Sequence, residues 1–233
     1  MISRSAKFIN TSKESVQLKR LMSNQLDFED CGYVMTTFNG SWAREMYRHD
    51  AMVNIGKTVN ASYAGTSSNR ANPFVMISRA ETTEDCGICY GMNLIYSGNH
   101  YEVMEVNSHG KTRFVSGINP QSFRFVIEPG QSFEAPEAVM TFSSAGYNGM
   151  SQQMHEFVRE CIVRGEWKKK VRPVLLNSWE AAYFDINESK LLKLAKAAKD
   201  TASAGVLMMA IISALIGSVI FIPKIIDFVG GLF

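Results

Sequence analysis

The 233-residue chain carries only four cysteines, too few for a disulfide scaffold at this length. It has almost no net charge: 24 basic against 22 acidic residues leave +2. That balance excludes a surface built for nucleic acid and implies no acidic substrate. Residues 1–25 lack a secretory leader, because Arg4, Lys7, Lys13, Lys19 and Arg20 interrupt them and no apolar core lies between. Reduced cysteines and the missing leader together point to the cytoplasm. No internal repeat is present. Apolar residues at 46% and aromatics at 11% fit a packed globular protein and exclude a disordered one.

Metal chemistry is equally thin. Cys86 and Cys89 form a C-x-x-C, but no second pair and no paired histidine completes a zinc set. The pair also lacks the strand-to-helix setting of a thiol redox site, so both are expected to be ordinary strand cysteines. The basic run Arg164, Lys168, Lys169, Lys170 and Arg172 reads as a solvated connector.

From about residue 5 to 145 the chain reads as β-structure, with short alternating apolar runs punctuated by turn residues. Ile88, Tyr90, Met92, Leu94 and Tyr96 share one strand face. Ser97-Gly98-Asn99-His100 is a turn, Tyr101 to Val106 returns, and Asn107 to Gly110 turns again. Phe123 to Ile127 and Ala138 to Phe142 are further strands. Many short strands at this spacing predict an antiparallel sandwich.

The period changes near Ser151. Met154, Phe157, Val158, Cys161 and Ile162 fall on one helical face, with Ser151 as N-cap and Gly165 as stop. Val174-Leu175-Leu176 reads as a strand buried on both faces. A second helix follows, capped by Asn187, stapled from Ile186 to Leu191, and carried on by Leu192, Leu194, Ala195 and Ala198. Strand, loop and helix make one βα unit.

Seven collinear segments then carry a family resemblance. Gly40-Ser41-Trp42-Ala43-Arg44-Glu45 resembles G-x-W-x-R-E, and Gly65 to Phe74 resembles G-x-S-S-H-x-x-N-P-F, with Asn69 where histidine is usual. Gly91 to Asn99 resembles G-x-x-L-x-Y-S-G-N. Gly117-Ile118-Asn119 and Pro129 to Glu137 resemble G-I-N and P-G-E-x-F-x-x-P-E. Gly146 to Arg159 and Arg172 to Phe184 complete the set, over roughly residues 4–200. Together they resemble family 36 α-galactosidases.

The resemblance implies a fold and a domain plan. The expected class is mainly β: an antiparallel, supersandwich-like β-sandwich over 1–150, incomplete at its N-terminus. A linker helix over 151–170 follows, then one βα unit of a truncated (β/α)8 barrel over 171–200; outside the resemblance, the composition of 201–233 adds an apolar C-terminal helix, a candidate transmembrane span. A full barrel needs eight such units and about 250 residues.

The resemblance also implies retaining hydrolysis of terminal α-D-galactosyl residues from substrates such as melibiose and raffinose, without a cofactor or metal. Retention needs two carboxyl groups about 5–5.5 Å apart. In the family these are aspartates on later barrel strands, the nucleophile in K-W-D-x-N, and a D-D-G-W on the second strand binds the sugar hydroxyls. None of these motifs occurs here. No residue of this chain is therefore expected to be catalytic, and the chain alone is expected to be inactive. Glu180 and Asp185 lie near the first strand, but one strand cannot place two carboxylates on opposite faces of a sugar. Trp179 is the candidate substrate-binding residue, by its match to a tryptophan that borders the galactose pocket, against a barrel-rim core reading. His155 reads as structural. Trp42, Arg44 and Glu45 read as sandwich interior, with Arg44 and Glu45 paired. Homo-oligomers are expected from the family.

The last segment stands apart. Ala202 to Pro223 holds no charge, approaching the roughly 20 residues that span a bilayer. Lys190, Lys193, Lys196 and Lys199 precede it and would stay on the cytoplasmic side. Two readings stay open: a membrane contact through 202–222, or a change of reading frame or gene fusion that ends the resemblance at Asp200. The rival functional class is a non-catalytic, membrane-tethered β-sandwich that binds carbohydrate or a partner protein. It would need a row of exposed aromatics, for which Tyr90, Tyr96 and Tyr101 are the candidates, although core packing accounts for them more simply.

Overall fold

The structure, a computed structural model, describes residues 1–173, 175 and 177–230, with side chains 180, 217 and 223–230 outside the description. The chain divides into two units, Met1–Lys168 and Lys169–Phe233.

The first unit holds fourteen strands. They are β1 (Ile2–Arg4), β2 (Lys7–Ile9), β3 (Val16–Leu18), β4 (Met22–Phe28), β5 (Tyr33–Ser41), β6 (Arg44–Met52) and β7 (Gly56–Ala61). There follow β8 (Phe74–Arg79), β9 (Cys89–Leu94), β10 (His100–Val106), β11 (Thr112–Ile118), β12 (Phe125–Ile127), β13 (Ser132–Glu134) and β14 (Ala138–Ser143). A six-stranded sheet runs β1-β14-β9-β8-β5-β6, and a three-stranded sheet runs β10-β11-β4. Two small pairs, β12-β3 and β13-β2, complete the unit, and every strand pairing is antiparallel.

The core forms because both large sheets turn an apolar face inward. Met35, Val75, Ile77, Met92 and Met140 from the six-stranded sheet meet Phe28, Met104, Val106 and Phe114 from the other. The sandwich expected from strand spacing is the fold observed. Strand β8 is buried from Val75 to Ser78 without alternation, because its second face is also covered. The cover is α1 (Gly146–Phe157), whose Tyr147, Met150 and Met154 pack on Met76 and Cys89. Gly91 makes this approach feasible. A Cβ there would stand 2.7 Å from the Met150 sulfur and 3.0 Å from Thr141 Cγ2.

Helix α1 starts at Gly146, five residues before the Ser151 expected from sequence. Its cap comes from a distant turn instead of its own side chains. Gly146, Tyr147 and Asn148 donate their backbone N–H groups to the carbonyls of Gly87, Thr83 and Glu84 at 3.0, 3.1 and 2.9 Å. Gly146 has φ of +65°, and a Cβ there would meet Thr83 O at 2.4 Å. Cys86 belongs to this exposed capping turn and not to a strand, whereas Cys89 is buried in β9. Past Phe157 the helix widens into a π-helical turn, Val158–Ile162, where Val158, Cys161 and Ile162 are exposed. The apolar face read there from sequence is thus not covered within this unit, because α1 packs on β9 and β14 only through its earlier turns.

The second unit contains α2 (Trp179–Ala182) and α3 (Glu188–Gly230). The expected strand 174–176 falls largely outside the described residues, since Val174 and Leu176 are not described, and Leu175 is 90% exposed. Asn187 caps α3 as its sequence suggests, its Oδ1 accepting the Lys190 N–H at 3.0 Å. Five residues of coil or turn precede α3, and from Val206 to Ile222 its described apolar side chains are exposed.

Candidate functional site

Trp179 opens α2, where the Asn177 side-chain oxygen accepts its backbone N–H at 3.0 Å. Tyr183, with φ of +46°, ends that helix and turns its ring back. The Trp179 ring meets Tyr183 edge-on at 5.4 Å and Phe184 at 5.0 Å, with interplanar angles of 70° and 88°. All three rings are open to solvent, Trp179 at 47%. The trio offers flat apolar faces of the kind that pack on sugar C–H groups. Of the nearby carboxylates, the Glu180 side chain lies outside the described residues, and Asp185 is ion-paired to Lys190.

Several expectations for the sandwich unit are corrected. Trp42, Arg44 and Glu45 are not interior. Trp42 lies in the turn of the β5–β6 hairpin, 76% exposed, and Arg44 and Glu45 open β6, every residue of which is exposed. Glu45 does not pair with Arg44; its carboxylate accepts the Ala43 backbone N–H at 3.1 Å. Ala43 and Met46 both take a positive φ of 59°, and the register shifts between Asn39 and Ser41, so the hairpin leaves the sheet's regular path. Tyr90, Tyr96 and Tyr101 form no row: Tyr90 packs against the core from β9, Tyr101 lies on β10 of the other sheet, and Tyr96 lies between the strands. His155 is exposed on α1, without a side-chain hydrogen bond among the described residues, and lines a cleft of about 430 Å³ with Phe38, Met46, Arg48, Phe74 and Tyr147.

Sequence reading placed His100 in a turn. It starts β10 instead and is fully buried, with Glu102 beside it. His100 Nδ1 lies 2.7 Å from Glu102 Oε2, and Nε2 lies 2.8 Å from the Ala71 carbonyl. Asn60 donates to the same Glu102 oxygen at 3.0 Å and to the Asn72 carbonyl at 2.8 Å. Burial pushes the Glu102 carboxyl up, against the pull of His100 and Asn60. Burial alone would lower the His100 imidazole, but the Glu102 carboxylate and the Ala71 carbonyl hold it above its usual value. The available signal was phase: His100 and Glu102 share the inward side of β10 with the buried Met104. Among the described residues no group of three metal-ligating side chains gathers.

Comparison with known proteins gives consistent matches. Residues 1–128 match the glycosyl hydrolase family 36 N-terminal domain, and residues 132–213 match the melibiase domain, past Asp200 and into the apolar run. The chain is 38% identical over 200 residues to α-galactosidase AgaA of Geobacillus stearothermophilus, covering 86% of this chain and 27% of that protein. It is 38% identical over 199 residues to α-galactosidase Mel36A of Lactobacillus acidophilus, with 85% and 27% covered. Among solved structures, the α-galactosidase from Lactobacillus brevis superposes with a TM-score of 0.79 at 40% identity, over 85% of this chain and 27% of that one. An AgaA variant from G. stearothermophilus in complex with raffinose superposes with 0.79 at 38% identity, over 84% and 27%. The chain therefore spans about a quarter of the length of the relatives it matches.

Proposed function

The chain belongs to glycosyl hydrolase family 36, and from that premise we propose that its function is the N-terminal share of an α-galactosidase. The reaction is retaining hydrolysis of terminal α-D-galactosyl residues from oligosaccharides such as raffinose and melibiose. The observation that carries this reading is 38% identity to AgaA across 86% of the chain. The share supplied is the sandwich, the linking helix and the first turn-and-helix of the catalytic barrel. The catalytic carboxylates are not supplied, since neither D-D-G-W nor K-W-D occurs in the sequence. Two carboxyl groups about 5–5.5 Å apart are the minimum for retention. With a chromogenic α-galactoside, the purified chain should show no turnover above its buffer blank. Clear turnover would overturn the assignment of catalysis to residues outside it.

Trp179 is the residue we place on the substrate side. Its half-exposed ring, steadied by Tyr183 and Phe184, supports that role. In AgaA, replacing by alanine the residue that occupies the position of Trp179 should raise KM for raffinose more than it lowers kcat. Unchanged KM would return Trp179 to the barrel rim. The exposed β5–β6 edge is where we place a homo-oligomer contact, to be checked by sedimentation of the chain and of Trp42→Ala.

One observation favours a second reading. Helix α3 is 43 residues long and carries an exposed apolar stretch, with a mean hydropathy of 2.6 over its best window. A membrane-tethered sandwich would stay in the pellet after alkaline carbonate extraction; release into the supernatant would remove this reading and leave the cytoplasmic one.

A further inference from the structure

We propose that His100, Glu102 and Asn60 are positioning residues that clamp the 69–72 loop, and through it the β5–β6 hairpin, by retaining one buried proton.

Two adjacent carbonyls of that loop are gripped from inside the sandwich. Ala71 O receives His100 Nε2, and Asn72 O receives Asn60 Nδ2. The other side of the same loop grips the hairpin. Arg70 O accepts the Gly40 N–H and Asn69 O accepts the Met46 N–H, each at 3.1 Å, while the Asn72 N–H donates to Phe38 O at 3.1 Å. Asn39 and Ala71 also form a backbone bridge. The hairpin turn is otherwise exposed, so these bonds are its main attachment beyond its own two strands.

The proton count follows from the partners. Both ring nitrogens of His100 face oxygen: a carbonyl that only accepts, and a carboxyl. Donation to Ala71 takes one proton on Nε2. A second proton must lie between Nδ1 and Glu102 Oε2, or two lone pairs would face each other in a buried site. Held there, it makes the pair neutral overall. Removing it leaves a buried anion whose other oxygen, Oε1, already has no hydrogen-bond partner among the described residues. The groups that act on the pair are each other, Asn60 and the Ala71 carbonyl. An open hairpin with hydrated His100 would titrate near 6.5. The clamped pair, whose values are raised, holds its proton to higher pH. The clamp is therefore at full strength below about pH 6.5 and weakens as pH rises towards the clamped value.

The test uses hydrogen–deuterium exchange of the full 233-residue chain in non-denaturing detergent between pH 6 and 9, corrected for intrinsic exchange. In the native chain, opening of the 38–48 segment should rise by up to about ten-fold per pH unit above pH 6.5. The 75–79 core segment should stay flat. Glu102→Gln replaces the shared proton with an amide N–H that donates to Nδ1 but no longer accepts from Asn60, so its hairpin should open more readily at every pH and without the rise above pH 6.5. Equal slopes in both proteins, or equal slopes in hairpin and core, would overturn the proposal. A readout that needs no variant is the titration of the His100 ring by NMR. A midpoint above 6.5 supports the clamp, and one at or below it sinks the idea.

Discussion

The guanidinium of Arg48 lies 4.5 Å above the ring of Tyr147, joining the exposed edge strand β6 to helix α1 across the face of the sheet. The same guanidinium takes Asp50 at 3.0 Å, and Tyr147 in turn bonds Ser78 on β8 through its hydroxyl at 2.9 Å. A polar strap therefore runs from the edge of the six-stranded sheet to its centre. Arg48 is partly exposed, so its contribution is modest. Arg48→Ala should cost about 1 kcal/mol, and Arg48→Lys roughly half of that, by chemical denaturation.

Gly91→Ala should destabilise the chain by about 1–3 kcal/mol, because its Cβ would overlap the Met150 side chain. Met150→Ala in the same chain should recover part of the loss. The coupling energy from the double-mutant cycle should be about 0.5 kcal/mol or more. Simple additivity would show that the close approach does not set the position of α1.

Thiol chemistry should separate the cysteines. Cys31, Cys86 and Cys161 are exposed, whereas Cys89 is buried and its thiol is pushed up to about 12 by burial, with Arg48 pulling slightly the other way. With a disulfide reagent at pH 8, three thiols should react quickly and the fourth only on unfolding. Fast reaction of all four would mean that α1 lifts from the sheet readily.

Phe114→Ala should cost about 3–5 kcal/mol, since Phe114 is wholly buried between the two sheets. Phe142→Ala, on a strand of the same sandwich but 49% exposed, should cost under about 1.5 kcal/mol. Thermal melts of the two variants measure the contrast. Similar losses would contradict the assignment of the core to the space between the sheets.

The strands were legible in the sequence wherever one face meets water and the other the core. Strand β10, from His100 to Val106, and β14, from Ala138 to Ser143, fall within a residue or so of their expected positions. What the sequence hid were features set by distant segments. The start of α1 is fixed by carbonyls at Thr83, Glu84 and Gly87, some sixty residues away, and no local cap signals it. Trp42 looked like core because bulky aromatics usually are, yet the hairpin carries it clear of both sheets. His100 looked like a turn residue because it follows Ser97-Gly98-Asn99, and its polar side chain disguised a buried position. Of the candidate site, the sequence supplied Trp179 but not its two aromatic neighbours as a group, since the positive φ at Tyr183 folds them together.

Strand β1 pairs with β14, so Ile2, Ser3 and Arg4 find their partners at Met140, Val139 and Ala138. On the ribosome that pairing has to wait. At about 5–20 residues per second, more than a hundred residues of synthesis separate the two strands, a delay of roughly seven to twenty-seven seconds. Until β14 is made, Ile2–Arg4 lack their pairing partner, and from the completion of β9 onward its outer edge lacks its neighbour too. Closure of the six-stranded sheet therefore waits for β14, the last of its strands to be made.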